Sequence, residues 1–477
     1  MEKQPARINY FFGPGWYSLF ETIFGAFINL GKIEYNLFLR FIDIWAGIIH
    51  HFSFGGLITS LIRTIAFTVQ AIITSVFATV IVLVCTIIHT LIVSIFMGIV
   101  YIGFTVVWFL DFVYRKMHGI VSHCSNCQER ISLPYYRCSC GRVHTKLIPS
   151  KYGILKRTCE CGNQLPTTFL NGRQKLNAIC PHCQFDLTSG GAHVAVTFPL
   201  IGGPSSGKTC FVNMSIYSLS KNAGKLGYNF DYEDEGTMEY ENNIQGIENG
   251  AFPAKTNNMA LTFYRFNWAK DKQAVKNEIS LCDIGGEAYA DKETLKRQIG
   301  YANSQGYIVI IDPLSIKEYR KEVEKKNDIS SFNGSSMSLD EVLDMLVTTV
   351  DSLSNLNSKE KITKDCAVVF TKLDLPGLDE KIGDSGNEEY RASHKATFLE
   401  AENAICENFL REYGEDNFVN TLKAKFKNIQ FFACTALADD GNGKLYSKNA
   451  ARALAWVMNG KGKGIAFDEN EIISLVD

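Results

Sequence analysis

His193-Val-Ala-Val-Thr-Phe-Pro-Leu-Ile201 runs straight into Gly202-Gly203-Pro204-Ser205-Ser206-Gly207-Lys208-Thr209. Apart from His193 and Thr197 the first stretch is apolar, the pattern of a strand buried on both faces. The second is G-x-x-x-x-G-K-T, followed by Cys210 and a helical pattern. Between a strand and a helix, such a loop turns its backbone N–H groups on phosphate oxygens. Lys208 then reaches the outer phosphates and the Thr209 hydroxyl can ligate magnesium.

Three further strand ends follow in order. Asn277-Glu-Ile-Ser-Leu-Cys-Asp283-Ile-Gly-Gly286 ends in D-x-x-G. Its aspartate can hold a magnesium hydration shell, and the Gly286 N–H can approach a γ-phosphate. Cys366-Ala-Val-Val-Phe-Thr371-Lys372-Leu-Asp374 ends in T-K-x-D. The Asp374 carboxylate can accept two hydrogen bonds from guanine N1–H and its exocyclic amine, which adenine does not offer. Ile429-Gln-Phe-Phe-Ala-Cys434-Thr435-Ala436-Leu437 is a strand leading to a small-residue loop suited to the guanine O6. Each motif alone is weak. Together, each at the carboxyl end of a strand, they reinforce one another.

This set resembles the Ras-like, TRAFAC-clade GTPases over about 285 residues. The layout of apolar segment, cysteine pairs and G domain is similar to the bacterial double-GTPase families of conflict systems. The resemblance implies a GTPase with Lys208, Gly286, Glu287 and a switch threonine as its catalytic set. That threonine is expected just before the strand Met259-Ala-Leu-Thr-Phe-Tyr-Arg-Phe, where Thr256 stands, with Thr237 as the alternative. Thr209, Thr256 and Asp283 would then be the magnesium ligands. The long gap between Lys208 and Thr256 implies an insertion near 225–250. Glu287 stands where such enzymes carry a water-positioning glutamine, and Pro204 where many carry glycine. Both departures bear on hydrolysis, and no arginine is identifiable as a cis finger.

Charge is unevenly spread. Acids number 50 and bases 48, but only 12 charged residues fall in positions 1–120. Thr64 to Leu110 is a run of 47 residues without Asp, Glu, Lys or Arg. As helix it would be about 70 Å long, against a bilayer core of about 30 Å. That length predicts two spans, near 65–86 and 91–112, reversing at His89 and Thr90. Arg63 before the run and Arg115 and Lys116 after it place both ends in the cytoplasm. Residues 10–60 are aromatic and apolar, interrupted by Glu21, Lys32, Glu34, Arg40 and Asp43, as in helices lying at the interface.

Eight of the 14 cysteines form four tight pairs: Cys124 and Cys127, Cys138 and Cys140, Cys159 and Cys161, Cys180 and Cys183. Such spacing suits metal knuckles and not mutual disulfides. Four pairs imply two structural zinc ions, each with four thiolates. First with second and third with fourth is the preferred combination, although a crossed one is open. Cys85, Cys210, Cys282, Cys366, Cys406 and Cys434 sit among apolar neighbours and read as core. Residues 119–192 carry nine bases and three acids. Two four-thiolate zinc sites lower that charge to about +2, which argues against nucleic acid as the partner and suits anionic headgroups.

The expected architecture is an α/β GTPase domain at 191–477, its six-stranded, mostly parallel sheet covered by helices on both faces. Before it come an interfacial segment at 1–60, a transmembrane hairpin at 61–118 and a ribbon-like zinc module at 119–190. The expected function is a multi-pass, membrane-anchored switch hydrolysing GTP to GDP, with a role in bacterial defence or stress. Its partners would be the bilayer and a second copy or another protein acting on the switches. A non-hydrolysing GTP-sensing scaffold and a membrane-remodelling GTPase are the alternatives.

Overall fold

The computed structural model describes residues 4–50, 54–124, 127, 129–187, 193–232, 236–253, 261–271, 273, 275–284, 304–330, 332–353 and 361–475. The chain divides into two compact units. One is Met1–Tyr114 with Tyr136–Arg173, the other Arg115–Tyr135 with Gln174–Asp477.

The first unit holds α1 (Pro14–His50) and all but the last three residues of α2 (Phe54–Met117). The two run antiparallel: Trp16 Nε1 donates to the Tyr101 hydroxyl at 2.7 Å, and Ser75 Oγ to the Glu34 carboxylate at 2.5 Å. The expected reversal at His89 and Thr90 is corrected: α2 passes through both residues as one helix. No proline or glycine interrupts the sequence from Leu57 to Met97, so nothing breaks the hydrogen-bond ladder. The Thr90 hydroxyl returns to the Thr86 carbonyl at 2.7 Å, which satisfies it inside the helix. Among the described residues, this one helix is long and apolar enough to cross a membrane. Cys85 is exposed on it, contrary to the reading as core.

Residues 136–173 form a small ribbon in the same unit. Lys156–Thr158 pairs antiparallel with Gln164–Pro166, and the amino-terminal chain joins the other side. Arg7 N donates to Thr158 O at 3.0 Å, and Glu160 N to Pro5 O at 3.1 Å. Asp111, which ends the uncharged run, is buried here. It accepts from Phe169 N at 2.8 Å and from Arg173 at 3.2 Å. Arg173 Nη1 also donates to Leu147 O at 3.1 Å and Thr167 O at 2.7 Å, so the buried charge is both paired and hydrogen-bonded.

The second unit is built on β1 (Val194–Ile201), β2 (Tyr228–Tyr232), β3 (Leu261–Lys270), β4 (Asn277–Ile284), β5 (Gly306–Ile311), β6 (Asp365–Phe370) and β7 (Ile429–Ala433). They form one seven-stranded sheet in the order β2-β3-β4-β1-β5-β6-β7. From β4 to β7 all neighbours are parallel, while β2 and β3 are antiparallel additions. The six-strand expectation misses β2. That strand alternates aromatic and polar residues at the sheet edge, with Tyr228 stacked on Trp268 and Phe230 on Phe266. With α4 (Gly236–Glu248), β2 forms the insertion expected near 225–250. Helix α3 (Lys208–Asn222) leaves the carboxyl end of β1. Register sets Asp283 opposite Leu200, Ile311 opposite Phe370, and Phe370 opposite Ala433. The carboxyl ends of the parallel strands therefore gather along one edge of the sheet.

Candidate functional site

The loop from Gly202 to Gly207 bends sharply between β1 and α3. Ser205 has φ 59° and Gly207 φ 85°, both left-handed. Glycine takes that conformation without a Cβ penalty, and Ser205 adopts it in the phosphate-loop turn. Ser206 Oγ donates to Gly203 O at 2.8 Å and braces the turn. Lys208 folds back over the loop and donates to Gly202 O at 2.9 Å and Gly203 O at 2.8 Å. An ammonium has three donors, so one is left for a phosphate.

Thr209 Oγ1 donates to Asp283 Oδ2 at 2.9 Å. The other Asp283 oxygen is buried without a hydrogen-bond partner. A hydroxyl beside a buried, half-satisfied carboxylate at a phosphate loop is a donor set that fits magnesium and its water shell. Burial pushes the Asp283 carboxyl up, against the pull of Lys208 and the Thr209 hydrogen bond. Burial likewise pushes Lys208 down, opposed by Asp283. Cys210, next in the chain, has its thiol pushed up to about 11 by burial and acts as a small apolar residue.

The T-K-x-D segment lies against the same loop. Thr371 Oγ1 donates to Ser206 O at 2.8 Å, and Lys372 Nζ to Ser205 O at 3.3 Å. Asp374 is half-buried, and burial pushes its carboxyl up. Leu373 N donates to Cys434 O at 3.1 Å, and Cys434 N to Phe370 O at 2.8 Å. These bonds bring Thr435 and Ala436 alongside the T-K-x-D segment. Here the structure differs from the expected loop. Thr435 and Ala436 open β8 (Thr435–Asp439), which pairs with β9 (Leu445–Lys448) in a hairpin.

Thr256, Gly286 and Glu287 lie outside the described residues, and Thr237 falls within α4. Sequence reasoning missed Asp312 and Ser335, which touch this site from behind. Their signals were the Asp-Pro at the end of an apolar strand and a Ser/Gly/Asn-rich stretch at 330–337.

The cysteines form two clusters, and their pairing corrects the sequential preference. The first pair meets the fourth, and the second meets the third. Cys124 and Cys183 sulfurs are 3.5 Å apart, and those of Cys127 and Cys180 3.6 Å. In the other cluster Cys138 and Cys161 are 3.7 Å apart, and Cys140 and Cys159 3.8 Å. A tetrahedral zinc with Zn–S of about 2.3 Å has S···S edges of about 3.8 Å, so both clusters fit it. Gly141 (φ 83°) and Gly162 (φ 98°) take the left-handed turn after each Cys-x-Cys. Of the isolated cysteines, Cys282, Cys366, Cys406 and Cys434 are buried as expected and Cys210 is partly so.

A phosphate loop closed by a Thr–Asp pair, at the carboxyl edge of a parallel sheet with a T-K-x-D segment beside it, defines a P-loop GTPase-like fold. The family model Double-GTPase 2 matches residues 197–444, more than half of the chain. The chain belongs to the Double-GTPase 2 family, and its nucleotide is accordingly GTP or GDP. No curated protein matches it in sequence. Among solved structures it is similar to a Plasmodium falciparum protein described as nucleolar GTP-binding protein 1. Identity there is 11%, with 51% of this chain and 78% of that one covered and a TM-score of 0.23. It is also similar to sup35 complexed with GDP, at 13% identity, 51% and 37% coverage and a TM-score of 0.20. The GTP-bound Ski7 GTPase-like domain of S. cerevisiae shows 17% identity, 50% and 42% coverage and a TM-score of 0.25. The assignment rests on the family model and not on these likenesses.

Proposed function

We propose that the chain is a membrane-anchored molecular switch that binds GTP with magnesium at Gly202–Cys210 and hydrolyses it to GDP and phosphate. The observation that carries this reading is the convergence of Lys208, Thr209 and Asp283 at one turn. Backbone N–H groups of the loop and the remaining Lys208 donor hold the phosphates. Thr209 and Asp283, with Thr256 from the first switch, would hold the metal. Magnesium, when bound, offsets the charge on the β- and γ-phosphates. Asp374 accepts from the guanine edge, while Thr371 and Lys372 fix the loop that carries it, and Thr435 and Ala436 line the O6 side. Gly286 offers its N–H to the γ-phosphate, and Glu287 orients the attacking water. Glutamate adds negative charge there, so turnover without a partner is slow.

The two four-cysteine clusters serve as structural zinc sites, since four thiolates leave no open position for chemistry. Helix α2 is the anchor, with Arg115 and Lys116 at cytoplasmic headgroups. GTP and reduced thiols put the zinc and GTPase regions in the cytoplasm. A second copy or another protein acts on the switches. Single-turnover hydrolysis of radiolabelled GTP by the full chain in nanodiscs tests the reading. Phosphate release should appear in wild type and fall at least a hundredfold in Lys208→Ala. Equal release from both would refute it.

A further inference from the structure

Asp312 follows β5 and is 1% exposed. Its Oδ1 accepts from Leu314 N at 2.9 Å, and its Oδ2 from Ser335 N at 2.6 Å. The same Oδ2 lies 2.5 Å from Lys372 Nζ. Lys372 has φ 58°, a left-handed backbone that a non-glycine residue holds only when its surroundings fix it. Its ammonium also donates to Asn333 O and Ser205 O. All three of its donors thus end on three separate segments.

The segment from Asn333 to Met337 also abuts the phosphate loop. A Cβ on Gly203 would lie 2.5 Å from Ser335 Oγ and 2.9 Å from Met337 Cβ. The segment is therefore seated on Gly203 and tied to Asp312 through the Ser335 N–H. One buried carboxylate joins the T-K-x-D segment to this strap, and both rest on the phosphate loop.

We propose that Asp312 is a positioning residue for the nucleotide. By holding Lys372 and the Asn333–Met337 strap against Ser205 and Gly203, it locks the base-side and phosphate-side loops into one body and sets how long a bound nucleotide stays. This rests on the GTP-binding reading above. An amide at position 312 would keep the shape but could turn an N–H₂ toward an ammonium. Lys372 then loses its anchor, and the two loops move independently.

The test is release of fluorescently labelled GDP from the full chain in nanodiscs, chased with unlabelled GDP. Asp312→Asn should speed release at least tenfold, as should Lys372→Met. The double variant should be no faster than the faster single one, because both changes break one interaction. Asp312→Ser, run alongside, gives the same answer if the Asn variant fails to fold. Unchanged release in the folded Asp312 variant would overturn the proposal. So would single effects that multiply in the double variant, which mark independent structural damage. A wild-type chain that retains no labelled GDP would instead overturn the GTP reading itself.

Discussion

Thr209 and Asp283, 74 positions apart in sequence, meet through a 2.9 Å hydrogen bond at the carboxyl ends of adjacent parallel strands. The hydroxyl engages one carboxylate oxygen and leaves the other buried and unpartnered. Such an oxygen is costly unless something binds it. Loss of this carboxylate should therefore act on the metal-loaded nucleotide. Asp283→Asn should weaken GTP binding in magnesium by about 10–100-fold, the loss of a charged hydrogen bond of about 1.5–3 kcal/mol. Binding in EDTA should change far less. Titration calorimetry in the two buffers separates these outcomes, and equal losses in both would remove Asp283 from the metal site.

The cysteine pairing predicts which thiols travel together. Cys124→Ser should release one zinc per chain and make Cys180 and Cys183 reactive toward alkylation, with Cys138, Cys140, Cys159 and Cys161 still protected. Mass-spectrometric mapping reads this directly. Reactivity at Cys138 and Cys140 instead would favour the sequential arrangement.

The buried Asp111–Arg173 pair fastens the end of α2 to the 136–173 ribbon. Asp111→Ala leaves Arg173 charged and buried, at a cost of about 3–5 kcal/mol. Limited proteolysis should then cut within 136–173 well before wild type is cut. Arg173→Met/Asp111→Leu, which removes both charges, should restore much of the resistance. Wild-type cleavage rates in Asp111→Ala would show that the pair does not hold the ribbon.

Glu402 is buried on the helix Phe398–Glu412, where it accepts from Ala433 N at 3.2 Å. Burial pushes its carboxyl up to about 8, with Arg452 pulling the other way. A carboxyl whose folded pKa lies above its unfolded one stabilises the fold fully below the unfolded value, about 4.3. That contribution fades as pH rises and is gone above about 8. Wild-type melting temperature should therefore fall between pH 5 and 8 more steeply than that of Glu402→Gln. Parallel slopes would show that Glu402 does not titrate in this window.

What could be read from sequence was local in its cause. The β1 strand, the Gly202–Thr209 turn and the T-K-x-D segment each carry their chemistry within a few residues. Parallel register then brings Asp283 to Thr209 once both strands are known. The nested cysteine pairing was not legible, because each knuckle looks alike and the path of the chain decides which two meet. The unbroken α2 was misread because length suggested a turn where no breaking residue supplies one. Strand β2 hid in a short aromatic alternation whose partners, Phe266 and Trp268, lie some 35 residues on. Asp312 was missed because an Asp-Pro at a strand end foretells neither Lys372 nor Ser335 as its partner.

The central claim is that this fold holds guanine nucleotide through Asp374 and magnesium through Thr209 and Asp283. Equilibrium binding of labelled GTP to the full chain in magnesium, competed with unlabelled GTP or ATP, tests it most directly. GTP should displace the label at concentrations at least a hundredfold lower than ATP, and Asp374→Asn should abolish that gap. Equal competition by ATP and GTP in wild type would contradict the account.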